Sequence, residues 1–295
     1  MKLTEHVLRL IIRETLLNEI DIEEVGESCW AVGSTHELST CTIGSDKFYL
    51  KFSEAWLFES DDPSLQILNE YLSYQIYKLY PDAATPSRIE LVYDKNKLRV
   101  GLASAAVKGA DGRPRGGPLE FRADADAGVS SFGGRMMTTQ QLGALLSAGV
   151  YVDIFLANWD ISNTANIIVS PEADKATRID LGGNLDFRAQ GKRKGKMFGE
   201  EPGELGTMLP TSRSRITNIF DGADLRIAAQ TFLETPWSSI ASVIQQTHSQ
   251  VLDDLNTRGF ERLAAQWDDY VSYITPILAK RHRAVFAHAQ HILEA

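Results

Sequence analysis

The sequence predicts an α+β chain of two lobes: a small antiparallel-sheet N-lobe with one main helix, then a larger, mostly helical C-lobe. Three observations predict it. Short apolar runs of strand period, separated by small and polar residues, fill much of residues 24–53 and 88–102. One strong helical pattern stands between them at 63–80. Beyond a stretch at 108–137 rich in Gly, Ala, Asp and Arg, apolar residues recur with helical period almost to the end. The expected organisation is an N-terminal amphipathic helix at 1–20, an N-lobe at 21–107, an insert or linker at 108–137 and a helical C-lobe at 138–295.

Composition narrows the function classes. A chain of 295 residues with 43% hydrophobic and 23% charged residues can bury a sizeable core. A formal net charge of −9 argues against broad nucleic-acid binding, because that affinity comes from Lys and Arg neutralising phosphates. Two cysteines, Cys29 and Cys41, give neither a disulfide framework nor a Cys-based zinc pattern, and a reducing, cytoplasmic setting is expected. No apolar stretch is long enough for a membrane span.

Taken in order, residues 3–19 carry apolar side chains at helical spacing, with Glu5, Arg9, Arg13 and Glu14 breaking up any signal-peptide core. Strands are expected at 28–32, 41–43 and 47–52. In the last of these Phe48, Leu50 and Phe52 alternate with Lys47, Tyr49 and Lys51, so Lys51 points to the face opposite the apolar trio. The helix at 63–80 is apolar at 65, 68, 72, 76 and 79 and closed by Pro81, with Glu70 off the centre of the stripe. Strands at 88–93 and 97–102 flank a turn at 94–96. The C-lobe should open with a helix over 138–158 capped by Thr138. Helical segments at 223–234, 238–256, 259–275 and 277–293 follow, with Pro210, Pro236 and Pro276 marking breaks. His282, His288 and His291 lack metal-ligand spacing, which predicts a solvated or capping role.

The stretch richest in chemistry is Tyr151-Val-Asp-Ile-Phe-Leu-Ala-Asn-Trp-Asp160-Ile-Ser-Asn163-Thr-Ala-Asn166-Ile-Ile-Val169, followed by Arg178-Ile-Asp180-Leu-Gly-Gly183. An apolar helix runs into an Asp, a loop returns through Asn to a strand, and a hairpin delivers a second Asp to a Gly pair. Two oxygen ligands on separate loops can hold Mg²⁺ while leaving positions to water and phosphate. No Gly-x-Ser-x-Gly elbow and no Gly-x-Gly-x-x-Gly after a strand occurs, which disfavours the corresponding hydrolase and dinucleotide folds.

Phe48-Tyr-Leu-Lys51-Phe, Asn69-Glu70, Ala157-Asn-Trp-Asp160 with Asn166-Ile-Ile-Val, and Ile179-Asp180-Leu-Gly-Gly resemble, in that order, the atypical branch of the protein-kinase-like superfamily. The likeness is to phosphatidylinositol 3/4-kinase-like, HipA-like and actin-fragmin-kinase-like enzymes, over roughly residues 25–190. The resemblance implies a bilobal protein-kinase-like fold and an ATP- and Mg²⁺-dependent phosphotransferase, with Mn²⁺ as the alternative ion and a protein Ser or Thr as substrate. It implies that Lys51 contacts the α- and β-phosphates with Glu70 fixing it, that Asp160 takes the hydroxyl proton, and that Asp180 and Asn166 ligate the metal. Asn163 competes with Asn166, since the family sets its Asn five residues after the Asp and this chain has them at three and six. Gly33, Ser34 and Thr35 lie where the family covers the phosphates. Asp160 lacks the family's basic neighbour, having Trp159 and Ile161 beside it, and Leu181 fills the middle of the metal loop.

These departures keep a second reading open, a pseudokinase or structural scaffold. A third reading keeps the nucleotide site for AMP transfer, or for a lipid or small-molecule acceptor. The basic run at 188–196 places Lys192, Arg193, Lys194 and Lys196 where a substrate loop would hang, with attraction of an anionic substrate or the triphosphate as the expected role. The opening segment also resembles the starts of proteins encoded by large tailed phages, which would place the chain in a host cytoplasm or a virion.

Overall fold

The computed structural model describes residues 20–21, 29–32, 37–43, 46–53, 63–94, 96–107, 129–132, 135–163, 166–170, 174–188, 191–212 and 217–295. The expected helix at 3–19 and most of the 108–137 insert lie outside these residues. Six strands form one sheet: β1 (Ile20–Asp21), β2 (Cys29–Val32), β3 (Glu37–Ile43), β4 (Asp46–Phe52), β5 (Ile89–Asp94) and β6 (Arg99–Ala105), in the order β1-β5-β6-β4-β3-β2. The sheet is antiparallel as expected, apart from its two-residue edge strand β1, which pairs parallel with β5.

The period-2 alternation in β4 divides the sheet's two faces. Phe48, Leu50 and Phe52 are buried in a small cluster with Cys41, Val92, Ala103 and Ala105. Lys51, opposite Leu102 of β6, faces the other way, toward the side where Leu91, Tyr93, Val100 and Leu102 join the main core. On that side lies helix α1 (Ser64–Tyr77), in which only Tyr71 and Gln75 escape burial. Its start is tied to the sheet by the amide of Val100, which donates to Ser64 Oγ at 2.9 Å.

One covalent link was not foreseen from the cysteine count. Cys41 is disulfide-bonded, and the chain's other cysteine, Cys29, stands directly opposite it in the β2–β3 register. Two cysteines on adjacent strands come face to face only in one register, which the cysteine count does not reveal.

After a hairpin of β7 (Val129–Phe132) and β8 (Arg135–Thr138), the helical lobe begins with α2 (Thr139–Leu146). Thr138 caps α2 as expected: its hydroxyl accepts from Gln141 N at 3.1 Å, and Gln141 Oε1 accepts from Thr138 N at 2.9 Å. The single helix expected over 138–158 is broken into α2, a tight turn at Ser147–Gly149 and α3 (Val150–Phe155). The Arg178 side chain causes this tight approach. A Cβ on Gly149 would stand 2.2 Å from Arg178 Nη2, so only glycine admits the guanidinium there.

Two short antiparallel strands follow, β9 (Ile167–Val169) and β10 (Ala176–Arg178), with Ile167 opposite Arg178. Helices α4 (Leu225–Leu233), α5 (Trp237–Thr257) and α6 (Glu261–Glu294) complete the lobe, α6 packing along both others. Pro276 does not end a helix; it lies inside α6, whose buried stripe of Trp267, Tyr270, Val271, Ile274, Leu278, Arg281 and Val285 runs straight through it. Packing of that stripe outweighs the lost backbone bond, and the Thr275 hydroxyl donates to the Val271 carbonyl at 2.7 Å in the same turn. His282 is not solvated either: it is buried among Phe155, Phe232, Trp237 and Phe286, and burial lowers its pKa. Among the described residues, no helix is long and apolar enough to cross a membrane.

Candidate functional site

Lys51 is the residue on which sheet, α1 and helical lobe converge. Its ammonium donates to Glu70 Oε2 at 2.9 Å and to Asp180 Oδ1 at 2.5 Å. Burial pulls its pKa down, but the Asp180 and Glu70 carboxylates outweigh burial and hold it above the ordinary lysine value. Burial raises the Glu70 carboxyl above the usual range, and the Lys51 ammonium opposes that rise. Glu70 is almost fully enclosed, whereas the Asp180 side chain is 42% exposed and open to solvent.

Helix α1 presents more than Glu70 to this site. Gln66 Nε2 donates to Arg188 O at 3.1 Å and Gly182 O at 3.4 Å, and Asn69 Nδ2 donates to Asn184 O at 3.2 Å. Tyr270 of α6 in turn donates to Asn69 Oδ1 at 2.5 Å. Gln66, Asn69, Glu70 and Ser73 form a polar stripe at helical spacing, buried rather than solvated. That stripe was the available signal for Gln66, which the motifs did not include, and for the anchoring role of Asn69. Gly182 lets the loop come close, because a Cβ there would stand 3.0 Å from Glu70 Oε2 and 3.2 Å from Lys51 Nζ.

The two Asp-bearing loops are held by a buried network that sequence reasoning missed. Arg178, two residues before Asp180, donates from Nη2 to Asp153 Oδ2 at 2.8 Å and from Nε at 2.9 Å. Asp153 Oδ1 accepts from Asn158 Nδ2 at 2.8 Å, two residues before Asp160, and from the Tyr77 hydroxyl at 2.5 Å. One carboxylate inside α3 thus fixes the approach to both loops. In an apolar helix pattern, Asp153 alone was the clue.

Asp160 is the second residue of a short 3-10 turn (Trp159–Ser162) that follows Ala157, which takes a left-handed φ of 53°. Asp180 has φ 53° as well, and Leu185 has φ 51°. Left-handed Ala and Leu cost energy and persist only where the surroundings hold them. Lys194 does so here: its buried ammonium donates to Ala157 O at 2.7 Å, Gly183 O at 2.6 Å and Leu185 O at 2.8 Å. Three acceptors use all three protons of the charged form. Burial nonetheless pushes its pKa down to about 7.

Asn166 is buried, and its amide nitrogen donates to Asp160 Oδ2 at 2.8 Å and to Asp160 O at 3.1 Å. Asn163 is exposed; its backbone N–H donates to Asp160 O at 3.0 Å and its carbonyl accepts from Asn166 N at 2.9 Å. Burial, followed by repulsion from Asp180, raises the Asp160 pKa, and the Asn166 hydrogen bond opposes the rise. Among the described residues, no three His, Cys, Asp or Glu side chains converge on one point. Asp180 and Asp160 lie close enough to repel one another, and the Asn166 amide sits beside Asp160, so the oxygen donors here are of the kind a hard cation takes.

The basic run does not form a uniformly solvated arm. Arg193 pairs with Asp186 at 3.2 Å and lies over the rings of Phe187 and Tyr270, and the Lys194 ammonium is turned inward onto backbone carbonyls, so both are held by partners within the chain. Lys192 and Lys196 are exposed. Gly33, Ser34 and Thr35 lie outside the described residues.

No protein-family model matches the chain, and no curated protein matches it in sequence. Among solved structures, the chain is similar to the crystal structure of a Helicobacter pylori proinflammatory kinase, CtkA, with 11% identity and a TM-score of 0.46 over 89% of this chain and 94% of that one.

Proposed function

We propose that the chain is an ATP- and Mg²⁺-dependent phosphotransferase of protein-kinase-like fold that acts on a protein Ser or Thr. The observation that carries this reading is Lys51 of β4 held by the buried Glu70 of α1, with Asp160 and Asn166 paired on the loop that leads to β9. A fixed cation, an exposed carboxylate and a raised-pKa carboxyl are the parts that positioning and charge neutralisation of a triphosphate require.

The residues fit the group they would hold. Asp180 and the Asn166 carbonyl oxygen would ligate Mg²⁺, since the Asn166 nitrogen is committed to Asp160. A bound Mg²⁺ would neutralise phosphate charge as it develops. Lys51, prevented by Glu70 from swinging away, would meet the α- and β-phosphates. Asp160 would orient the acceptor hydroxyl. The acceptor oxygen bonds to the γ-phosphorus as the bond to the β,γ-bridging oxygen breaks, the hydroxyl proton passes to the Asp160 carboxylate, and ADP leaves.

A scaffold without catalysis is the second reading, and the direct Lys51–Asp180 contact favours it, because that contact engages the carboxylate a metal would need. Incubation with γ-labelled and α-labelled ATP in parallel separates the readings. Label transferred from the γ position only, and lost in Asp180→Ala, is the expected result. Transfer from the α position would mean nucleotidylation, and transfer from neither would mean a scaffold.

A further inference from the structure

A cavity of about 230 Å³ opens beside Asp160, lined by Trp159, Asp160, Gly183, Arg188, Lys194 and Met197. Small-molecule sites usually run to about 300–1,000 Å³, so this one suits a single side chain better than a whole sugar phosphate or lipid headgroup. Its walls are built rather than incidental. The Trp159 indole donates to Glu204 Oε1 at 2.8 Å, and Glu204 is fixed by the fully buried Arg281 at 2.9 Å. Lys194 bonds Gly183 and Ala157 beneath it. Met197 faces it with 62% of its surface exposed, an apolar contact waiting for a partner.

Opposite Asp160, the cavity is flanked by cations. Arg188 is exposed, touches Met197 Sδ through Nη2 at 3.2 Å and has no carboxylate partner among the described residues. Lys196, on the same turn as Met197, is exposed and likewise has no carboxylate partner among the described residues. Neighbouring cations differ: Arg193 is paired with Asp186, and Lys280 with Glu200 at 2.6 Å. In a chain of net charge −9, a cation lining the Asp160 cavity and another on the turn that carries its Met197 wall, both without carboxylate partners among the described residues, mark a place where the partner supplies the negative charge.

The geometry points to this cavity as the acceptor site for a peptide Ser or Thr flanked by acidic residues, with Arg188 and Lys196 selecting the acidic flank. The inference rests on the phosphotransfer reading for the role of Asp160, but peptide binding can be read without transfer. The hydroxyl enters toward Asp160, the peptide packs between Trp159 and Met197, and the flanking carboxylates meet the rim.

The test uses two fluorescent peptides with the same central Ser, one flanked by Glu and the other by Lys, titrated with the full chain by anisotropy at low and high salt. Tighter binding of the acidic peptide is expected, weakening with salt. Arg188→Glu with Lys196→Glu should reverse the preference, with up to about fivefold weaker binding for each lost pair. Equal binding of both peptides, no binding of either, or an unchanged preference in the charge-reversed variant overturns the inference. Thermal stabilisation by Mg-ATP is measured in parallel: if it occurs while the peptides show no preference, the acceptor inference alone has failed. If charge reversal weakens Mg-ATP binding and leaves the peptides unaffected, the cations serve the triphosphate and the inference is likewise overturned.

Discussion

At the residue scale, Asp160 and Asn166 form the pair on which proton transfer would depend. A base must be ionised to accept a proton, so the rate should fall as pH drops through the Asp160 pKa, which burial and Asp180 lift above the ordinary 3.8. Asn166 donates to the Asp160 carboxylate and so favours its ionised form. In Asn166→Ala, the acid limb of kcat/KM for the residual activity, measured at saturating Mg²⁺, should move to higher pH; an unmoved limb would assign that limb to another group. Asp160→Asn, which keeps the shape, should lower kcat by about 10²–10⁴-fold in the same assay. The sequence left Asn163 and Asn166 as competitors, because spacing from Asp160 suits neither. They differ in burial, Asn166 being enclosed and Asn163 exposed, and burial on an irregular loop has no sequence period to announce it. The facing of Lys51, by contrast, was legible, since alternation along a strand leaves only two directions.

At the scale of elements, Lys194 joins the turn after α3 to the loop after Asp180 by bonding carbonyls of two left-handed residues and of Gly183. Lys194→Met removes those donors while keeping most of the side-chain volume. It should destabilise the chain by about 1–3 kcal/mol in urea unfolding and lower kcat more than it raises the nucleotide KM. Unchanged stability would mean that the carbonyls find other donors. Nothing in the string Gly-Lys-Arg-Lys-Gly-Lys reveals that one lysine is buried. A basic run reads as solvated, and only the turn around Gly195 (φ 54°) and the pairing of Arg193 with Asp186 sort its members into inward and outward. Pro276 misleads in the opposite direction: its local preference predicts a break, and the apolar stripe of α6 overrides it. The disulfide at Cys41 was hidden for a third reason, because it depends on β2–β3 register rather than on any local pattern.

At the scale of the whole molecule, the small sheet, the single helix α1 and the helical lobe follow from changes of apolar period, which is why the α+β architecture could be read before any contact was known. What could not be read is how tightly α1 is enclosed. Its polar stripe looks like a solvent face, yet Gln66, Asn69 and Glu70 fasten the Asp180 loop against the sheet. Nucleotide and metal should therefore act on the stability of the whole chain and not of one loop. Thermal unfolding with Mg-ATP, with ATP plus EDTA and without nucleotide, in the wild type and in Asp180→Ala, tests this most directly. A ligand that binds only the folded chain at a hundredfold its Kd adds about 2.7 kcal/mol. The account predicts a Tm rise with Mg-ATP that EDTA and Asp180→Ala each abolish. No rise in the wild type, or an equal rise in Asp180→Ala, would contradict it.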